Sequence, residues 1–456
     1  MGRGHMIRRP VAIDLFAGAG GLSVGLEEAG FDVLAAVEYD PVHAATHTFN
    51  FPLTNVLCRD VTTLTGDELL VACRQGVERT GTTDWDGEVD LVAGGPPCQG
   101  FSMIGKRQLD DPRNRLPWDF QRLVAKIRPR YFLMENVPGM MTGLQSGILA
   151  GLIAAFERDG YVITKPVRLL DASAFGVPQD RRRLFLLGSR HDQEAVLYPP
   201  PRTRSRGKQG APPGNSELPL TVSVAQALSD LPDIDRFEEL LETDTADLTL
   251  QQQQALARKA SAYVRRLRGD DLDEGDLSHP RQWNRASLTS SRRTVHTPLS
   301  VKRFRATEPG ETEPVSRFHR LHPDGVCNTI RAGTGSERGA FTSPRPIHPT
   351  LPRVISVREA ARLHSLPDWF RLHSSKWHGF RQVGNAVCPL VGRAVGEMFV
   401  NALGIAPPKP LKTVTLGDEM LLGLNMSAAA RHFEADPSAI PAQRRRAGAE
   451  VGAAAH

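Results

Sequence analysis

The sequence predicts an α/β protein built on a doubly wound, mostly parallel, Rossmann-like sheet. Three observations predict it. Short apolar runs recur at residues 11–16, 32–37, 89–93, 130–134 and 184–187, and each reads as a buried strand. Helical patterns lie between several of them, such as 22–29, closed by Gly30, and 121–127, stopped by Pro129. The first run opens into a glycine turn, Ala17-Gly18-Ala19-Gly20-Gly21, at the start of a helix. That is the layout in which a ligand approaches backbone N–H groups.

The bulk numbers narrow the class. The chain has 456 residues, 40% apolar and 23% charged, as ordinary globular proteins do, and a formal charge of +5. That balance permits a nucleic-acid partner without requiring one. Five cysteines (Cys58, Cys73, Cys98, Cys327, Cys388) are widely spaced and form no C-x-x-C pair. A disulfide scaffold or a zinc site is therefore not expected, and a reducing compartment is. No leader-like segment precedes residue 11 and no run of 18 apolar residues occurs, so a cytoplasmic protein with no membrane span is expected.

In chain order, the first strand and its turn form a cofactor-type unit. The spacing is not a clean G-x-G-x-x-G, because position 23 is Ser. The turn alone fits NAD, FAD, a nucleotide or S-adenosylmethionine. The second strand ends at Glu38-Tyr39-Asp40, where an acid can accept from ribose hydroxyls. Asp60 and Val61 sit where a third strand should end.

The strand over 89–93 delivers Gly94-Gly95-Pro96-Pro97-Cys98-Gln99-Gly100-Phe101-Ser102. A cysteine set behind two prolines at a strand's C-terminal end is a candidate nucleophile rather than a buried hydrophobe. Residues 103–115 are polar and read as a loop. The next strand delivers Glu135-Asn136-Val137 at the neighbouring end, so a nucleophile and an acid would lie side by side. Gln179-Asp180-Arg181-Arg182-Arg183 precedes another strand, and Arg181 and Arg183 alternate onto one face.

From residue 199 the composition changes. Residues 199–208 are basic and proline-rich, 222–231 read as a short helix, and 237–267 read as helical in parts, including the Gln251–254 run. Between Leu277 and Thr307 there is no Asp or Glu, while Arg281, Arg285, Arg292 and Arg293 occur with Trp283. That is a candidate DNA-contacting surface. Helices are expected over 356–364 and from 389 to about 403. Residues 406–456 are Ala-, Pro- and Arg-bearing and are expected to be a flexible extension.

Pro96-Pro97-Cys98-Gln99-Gly100-Phe101-Ser102 resembles the nucleophile motif of the DNA (cytosine-5)-methyltransferases. Asp14 to Gly21 resembles that family's first motif, Glu135-Asn136-Val137 its next catalytic motif, and Gln179-x-Arg181-x-Arg183 its arginine motif. Gln382-Val383-Gly384-Asn385 resembles its last motif. The resemblance implies a sheet that binds S-adenosylmethionine, releases S-adenosylhomocysteine and needs no metal. It implies Cys98 as nucleophile, Glu135 as acid, Arg181 on the cytosine carbonyl and Arg183 in support. Around the cofactor it implies Phe16, Gly18, Gly20, Glu38, Tyr39, Asp60, Val61, Pro97, Leu116 and Asn385. Toward DNA it implies Gln99, Ser102, Thr329 and Ile330.

The catalytic domain would then span 1–198, interrupted by a target-recognition domain at 199–352 and completed by 353–405. The implied partner is double-stranded DNA, met by a monomer associated with the nucleoid. The implied role is protection of host DNA beside a separately encoded restriction endonuclease. Two rival functions remain open: methylation of cytosine in tRNA, and DNA binding without catalysis.

Overall fold

The structure, a computed structural model, describes residues 7–82, 85–97, 115–143, 145–211, 217–271, 273–333 and 345–435. Cys98, Gln99 and Ser102 lie outside the described residues.

The first half of the chain alternates strands and helices. It runs β1 (Val11–Leu15), α1 (Gly21–Glu28), β2 (Asp32–Val37), α2 (Pro41–Asn50), β3 (Asn55–Leu57), α3 (Gly66–Thr80), β4 (Leu91–Gly94), α4 (Leu116–Ile127) and β5 (Tyr131–Asn136). Then come α5 (Gln145–Arg158), β6 (Tyr161–Ile163), β7 (Arg168–Asp171), β8 (Gln179–Asp180) and β9 (Arg182–Arg190). The main sheet has the order β3-β2-β1-β4-β5-β9-β6, with β7 also paired to β9. The strands from β3 to β5 are parallel to one another. The pairings of β9 with β5, β6 and β7 are antiparallel. The doubly wound, mostly parallel sheet expected from the sequence is therefore present.

Its inner strands read as apolar runs because helices cover both faces. Every residue of β1 and β2 is buried. The strand order reverses between β1 and β4, and the ends of these strands border the crevice where open α/β sheets bind ligands.

The middle of the chain is made of short pieces: α6 (Val224–Ala227), β10 (Ala246–Asp247), α7 (Leu250–Ala257), α8 (Ala262–Arg268), β11 (Arg281–Gln282), β12 (Ser287–Leu288), α9 (Pro298–Ala306) and β13 (Cys327–Asn328). Within 237–267, read as helical in parts, there are three separate short helices, one of them a 3₁₀ turn at Glu238–Leu241. Thr249 and Ser261 each cap a new helix start, which breaks the run. Part of this region shares the main core. Val224, Leu228, Tyr263 and Val264 pack in one cluster with residues of α1 and the C-terminal helices.

The chain then returns through α10 (Val357–Leu363), α11 (Lys376–Asn385) and α12 (Pro389–Leu403). Helix α12 lies against α1 at glycine distance. A Cβ added at Gly25 would sit 2.5 Å from the Pro389 carbonyl oxygen and 2.7 Å from the Arg393 nitrogen. Residues 376–403 are long and apolar enough to cross a membrane by composition. They are broken at Ala386–Cys388, however, and α12 is a buried core helix.

The expectation that 406–456 is flexible is corrected for 406–435. Strand β14 (Val414–Thr415) pairs with β11, and a 3₁₀ turn at Glu419–Gly423 and α13 (Met426–His432) pack on α2. Leu421 and Leu422 fill an apolar cluster with Ala45 and Phe49, and Phe433 packs on it. Apolar residues spaced among polar ones supplied the contact that average composition hid.

Candidate active site

Register brings the expected catalytic groups together. Gly94 of β4 stands opposite Met134 of β5, so Glu135 falls beside Gly95. Its Oε2 would lie 3.1 Å from a Cβ built on Gly95. Asn136 ties the two turns: its Nδ2 donates to the Pro96 carbonyl at 3.2 Å, while its Oδ1 accepts from the Val137 N–H at 2.8 Å. The backbone leading into position 98 is thus held against the end of β5.

On the other side of β5, Glu135 pairs with Phe185 of β9. Arg183 is the diagonal neighbour on the same face, and its Nε lies 3.1 Å from Glu135 Oε1. Burial raises the Glu135 carboxyl above its usual range, and Arg183 and Arg181 partly offset this.

The role expected of Arg181 is corrected. Its guanidinium is buried and donates to three carbonyls: Ile330 at 3.0 Å, Gly384 at 2.9 Å and Ala386 at 2.9 Å. It ties three segments together, and its buried Nε has no partner among the described residues. Arg183 holds the position beside Glu135.

That tie belongs to a buried knot that sequence reading did not find. Gln179 Oε1 accepts from the Ile330 N–H at 3.1 Å, and its Nε2 lies 3.1 Å from His364 Nδ1. His364 Nε2 meets the Ala386 carbonyl at 2.9 Å. Strand β13 pairs with β8, and Thr329 Oγ1 donates to the Asp180 carbonyl at 2.6 Å. Gly384 is needed here because a Cβ would come within 2.3 Å of the Ala332 nitrogen. Thr329 and Ile330 are therefore anchored onto the arginine motif, with Ile330 buried. Gln179 was visible within the motif, but a buried amide has no signature distinct from an exposed one.

The cofactor-type turn follows β1. Phe16 takes a left-handed φ of 59°, Gly18 a φ of 57° and Gly20 a φ of 105°. Glu38 accepts from the Gly18 N–H and the Asp40 N–H, both at 2.8 Å. Burial raises its carboxyl. His47 Nδ1 lies 3.3 Å from the Gly18 carbonyl, and the Phe51 ring sits under Gly20. Both come from the α2 end of the chain, and neither was singled out from sequence.

Asp60 accepts from the Thr62 N–H, Val61 is buried, and Tyr39 is 41% exposed at the rim. Leu116 opens α4, Pro97 ends the described β4 turn, and Asn385 is exposed at the end of α11. The pocket fits a nucleoside-type ligand. A Cβ built on Gly18 meets nothing within 4 Å, and each Glu38 oxygen keeps a lone pair free beyond its one N–H.

The basic segment is less open than expected. Arg281 is corrected as a DNA contact: its side chain is 2% exposed, pairs with Glu27 at 2.7 Å and lies over Trp369. Arg285 pairs with Asp270 at 2.5 Å and Arg293 with Asp235 at 3.2 Å, both nearer the surface. Among the described residues Arg292 has no carboxylate partner.

A glycine turn after β1 and an acid–arginine pair, Glu135 of β5 with Arg183 of β9, define a doubly wound α/β protein with a candidate active site at its strand ends. Comparison with known proteins makes that specific. A prophage-encoded Escherichia coli protein, whose crystal structure is described as that of a DNA modification methyltransferase, superposes with a TM-score of 0.65. It is 32% identical, with 86% of this chain and 99% of that chain covered. Type II methyltransferase M.XorII of Xanthomonas oryzae is 48% identical over 96% of this chain and 95% of its own length. Type II methyltransferase M.AgeI of Thalassovita gelatinovora is 33% identical over 86% and 99%. The family model for C-5 cytosine-specific DNA methylases matches residues 11–401, and the chain belongs to that family. It is a DNA (cytosine-5-)-methyltransferase (EC 2.1.1.37).

Proposed function

We propose that the enzyme moves a methyl group from S-adenosylmethionine to carbon 5 of a cytosine flipped out of duplex DNA, through a transient covalent bond to Cys98. The observation that carries this reading is the Glu135 carboxyl, raised by burial, paired with Arg183 and set beside Gly95 on the approach to Cys98.

The chemistry asks for such a pair. Carbon 5 of cytosine is a poor nucleophile. When the Cys98 thiolate bonds to carbon 6, ring electrons move toward carbon 5, and N3 must gain a proton. A carboxyl whose hold on its proton is strengthened by burial can give that proton. Arg183, beside it, would hold the cytosine carbonyl. S-adenosylmethionine supplies an electrophilic methyl group. Loss of the carbon 5 proton and of Cys98 then restores the ring. Glu38 would accept from the ribose hydroxyls, Gly18 would leave room for the backbone to approach, and Phe16 and Tyr39 would flank the adenine. Flipping costs a few kcal/mol of unstacking, on the order of what pocket contacts return.

The other cysteines support the choice of nucleophile. Burial pushes the thiols of Cys58 and Cys73 up to about 12 and that of Cys388 up to about 11, and raises Cys327 as well. Thiols so raised are poor nucleophiles near neutral pH. The names of the relatives favour a role in restriction–modification, protecting host DNA from a separate endonuclease. Bisulfite sequencing of DNA from cells expressing the enzyme tests the reading. Protected cytosines in one fixed context are expected. Methyl label entering tRNA and not DNA would replace this function with the RNA reading.

A further inference from the structure

Most arginines of the basic segment are neutralised in place. Arg281 meets Glu27, Arg285 meets Asp270, Arg293 meets Asp235 and Arg303 meets Glu313. Among the described residues Arg292 and the exposed Lys302 and Arg305 of this segment pair with no carboxylate, and two further cations stand beside Arg292. Arg292, Arg345 and Lys376 come from separate segments, and among the described residues none of them pairs with a carboxylate. Arg345 Nη1 donates to Thr294 Oγ1 at 3.0 Å, its guanidinium lies over the Phe380 ring, and its buried Nε has no partner among the described residues. Lys376 Nζ donates to the Arg293 carbonyl at 2.6 Å.

Burial pushes the Arg345 guanidinium down, and it lowers the Lys376 ammonium with further repulsion from Arg345 and Arg292. His296, beside them, is lowered by burial and then by Arg345. Partly buried cations gathered without a counter-ion are costly to the free protein. An anion arriving from outside removes that cost.

Placement says which anion. Lys376 begins α11, and Ala386, just past its other end, lies against Gly21 of the glycine turn after β1. Ten helical residues span about 15 Å. A duplex whose base enters the active site would run its sugar–phosphate backbone within that reach. We infer that Arg292, Arg345 and Lys376 form a clamp for a backbone phosphate of the DNA substrate, an inference that rests on the function proposed above.

The test is the salt dependence of duplex binding by the full-length enzyme, wild type against Lys376→Gln and Arg345→Gln. For B-DNA the slope of log affinity against log salt is about −0.9 per neutralised phosphate. Each variant is expected to flatten the slope by about one and to weaken cognate and unrelated duplexes alike. Both variants should bind S-adenosylmethionine as the wild type does and melt no earlier. An unchanged slope in both variants overturns the clamp. So does a loss of affinity that comes with early melting, because the residues would then be structural. Inorganic phosphate that raises the wild-type melting temperature, with the DNA slope unmoved, would make this a free-anion site and also overturn it. A wild type that binds no duplex would overturn the function itself, and the clamp with it.

Discussion

Glu135 and Arg183 form one electrostatic unit, and their coupling has a sign. Arg183 holds the Glu135 carboxyl lower than burial alone would. In the proposed reaction the acid form donates, so the chemical step should slow as pH rises through the Glu135 pKa. Arg183→Gln removes the opposing cation and should move that alkaline limb to higher pH while lowering the rate. A pH profile of single-turnover methylation reads both, and a limb that stays in place would uncouple the pair. Glu135→Gln should cost about 10²- to 10⁴-fold in rate, the usual worth of a positioned acid.

Asp14 gives a stability counterpart. It is buried, accepts from Ser23 Oγ at 2.6 Å, and burial pushes its carboxyl up to about 7 from 3.8. The folded state therefore holds the proton more tightly. This contribution is fully present below about pH 4 and is lost as pH rises toward 7. At roughly 1.4 kcal/mol per pKa unit the loss is about 4 kcal/mol at most. Asp14→Asn should remove that slope in urea unfolding between pH 4 and 8. Glu28, pushed up to about 8, tilts both proteins equally. Parallel curves for the two would contradict the assignment.

At the scale of elements, what was legible followed from burial pattern. The runs at 11–16, 32–37 and 130–134 became β1, β2 and β5 because inner parallel strands are apolar on both faces. Helices α2 and α3 were not anticipated. Helix α2 carries His43, Thr46, His47 and Asn50 as buried polar residues, so its apolar stripe is interrupted. The Gln179–His364–Arg181 knot was equally illegible, since it joins residues far apart in sequence through main-chain carbonyls. The α1–α12 contact depends on missing side chains. Gly25→Ala should cost about 1–3 kcal/mol, as overpacking does, and thermal melting checks it. Gly384→Ala pushes α11 away from Ala332 and should raise KM for DNA more than it changes S-adenosylmethionine binding.

Across the whole molecule, the first half supplies a sheet and its ligand-facing edge, and the return helices lock that edge from behind. Motif order showed this plan because Cys98, Glu135 and Asn385 each follow a recognisable element. The middle was legible as a change in composition and a few short helices, and no further, since its elements are short and share the main core. The docked stretch 406–435 extends the plan across α2. Truncation after residue 405 exposes Phe49 and Ala45, and should lower the melting temperature by several degrees.

The central claim is a sulfur–carbon bond at position 98 formed with help from Glu135. Duplex DNA carrying 5-fluorocytosine at the methylated position blocks loss of the carbon 5 substituent and should trap that bond. With S-adenosylmethionine present, mass spectrometry should find the wild-type enzyme covalently joined to DNA through Cys98, and Cys98→Ser should form no adduct. An enzyme that methylates ordinary duplex yet leaves the fluorinated duplex unjoined, or joins it through another residue, would contradict the account.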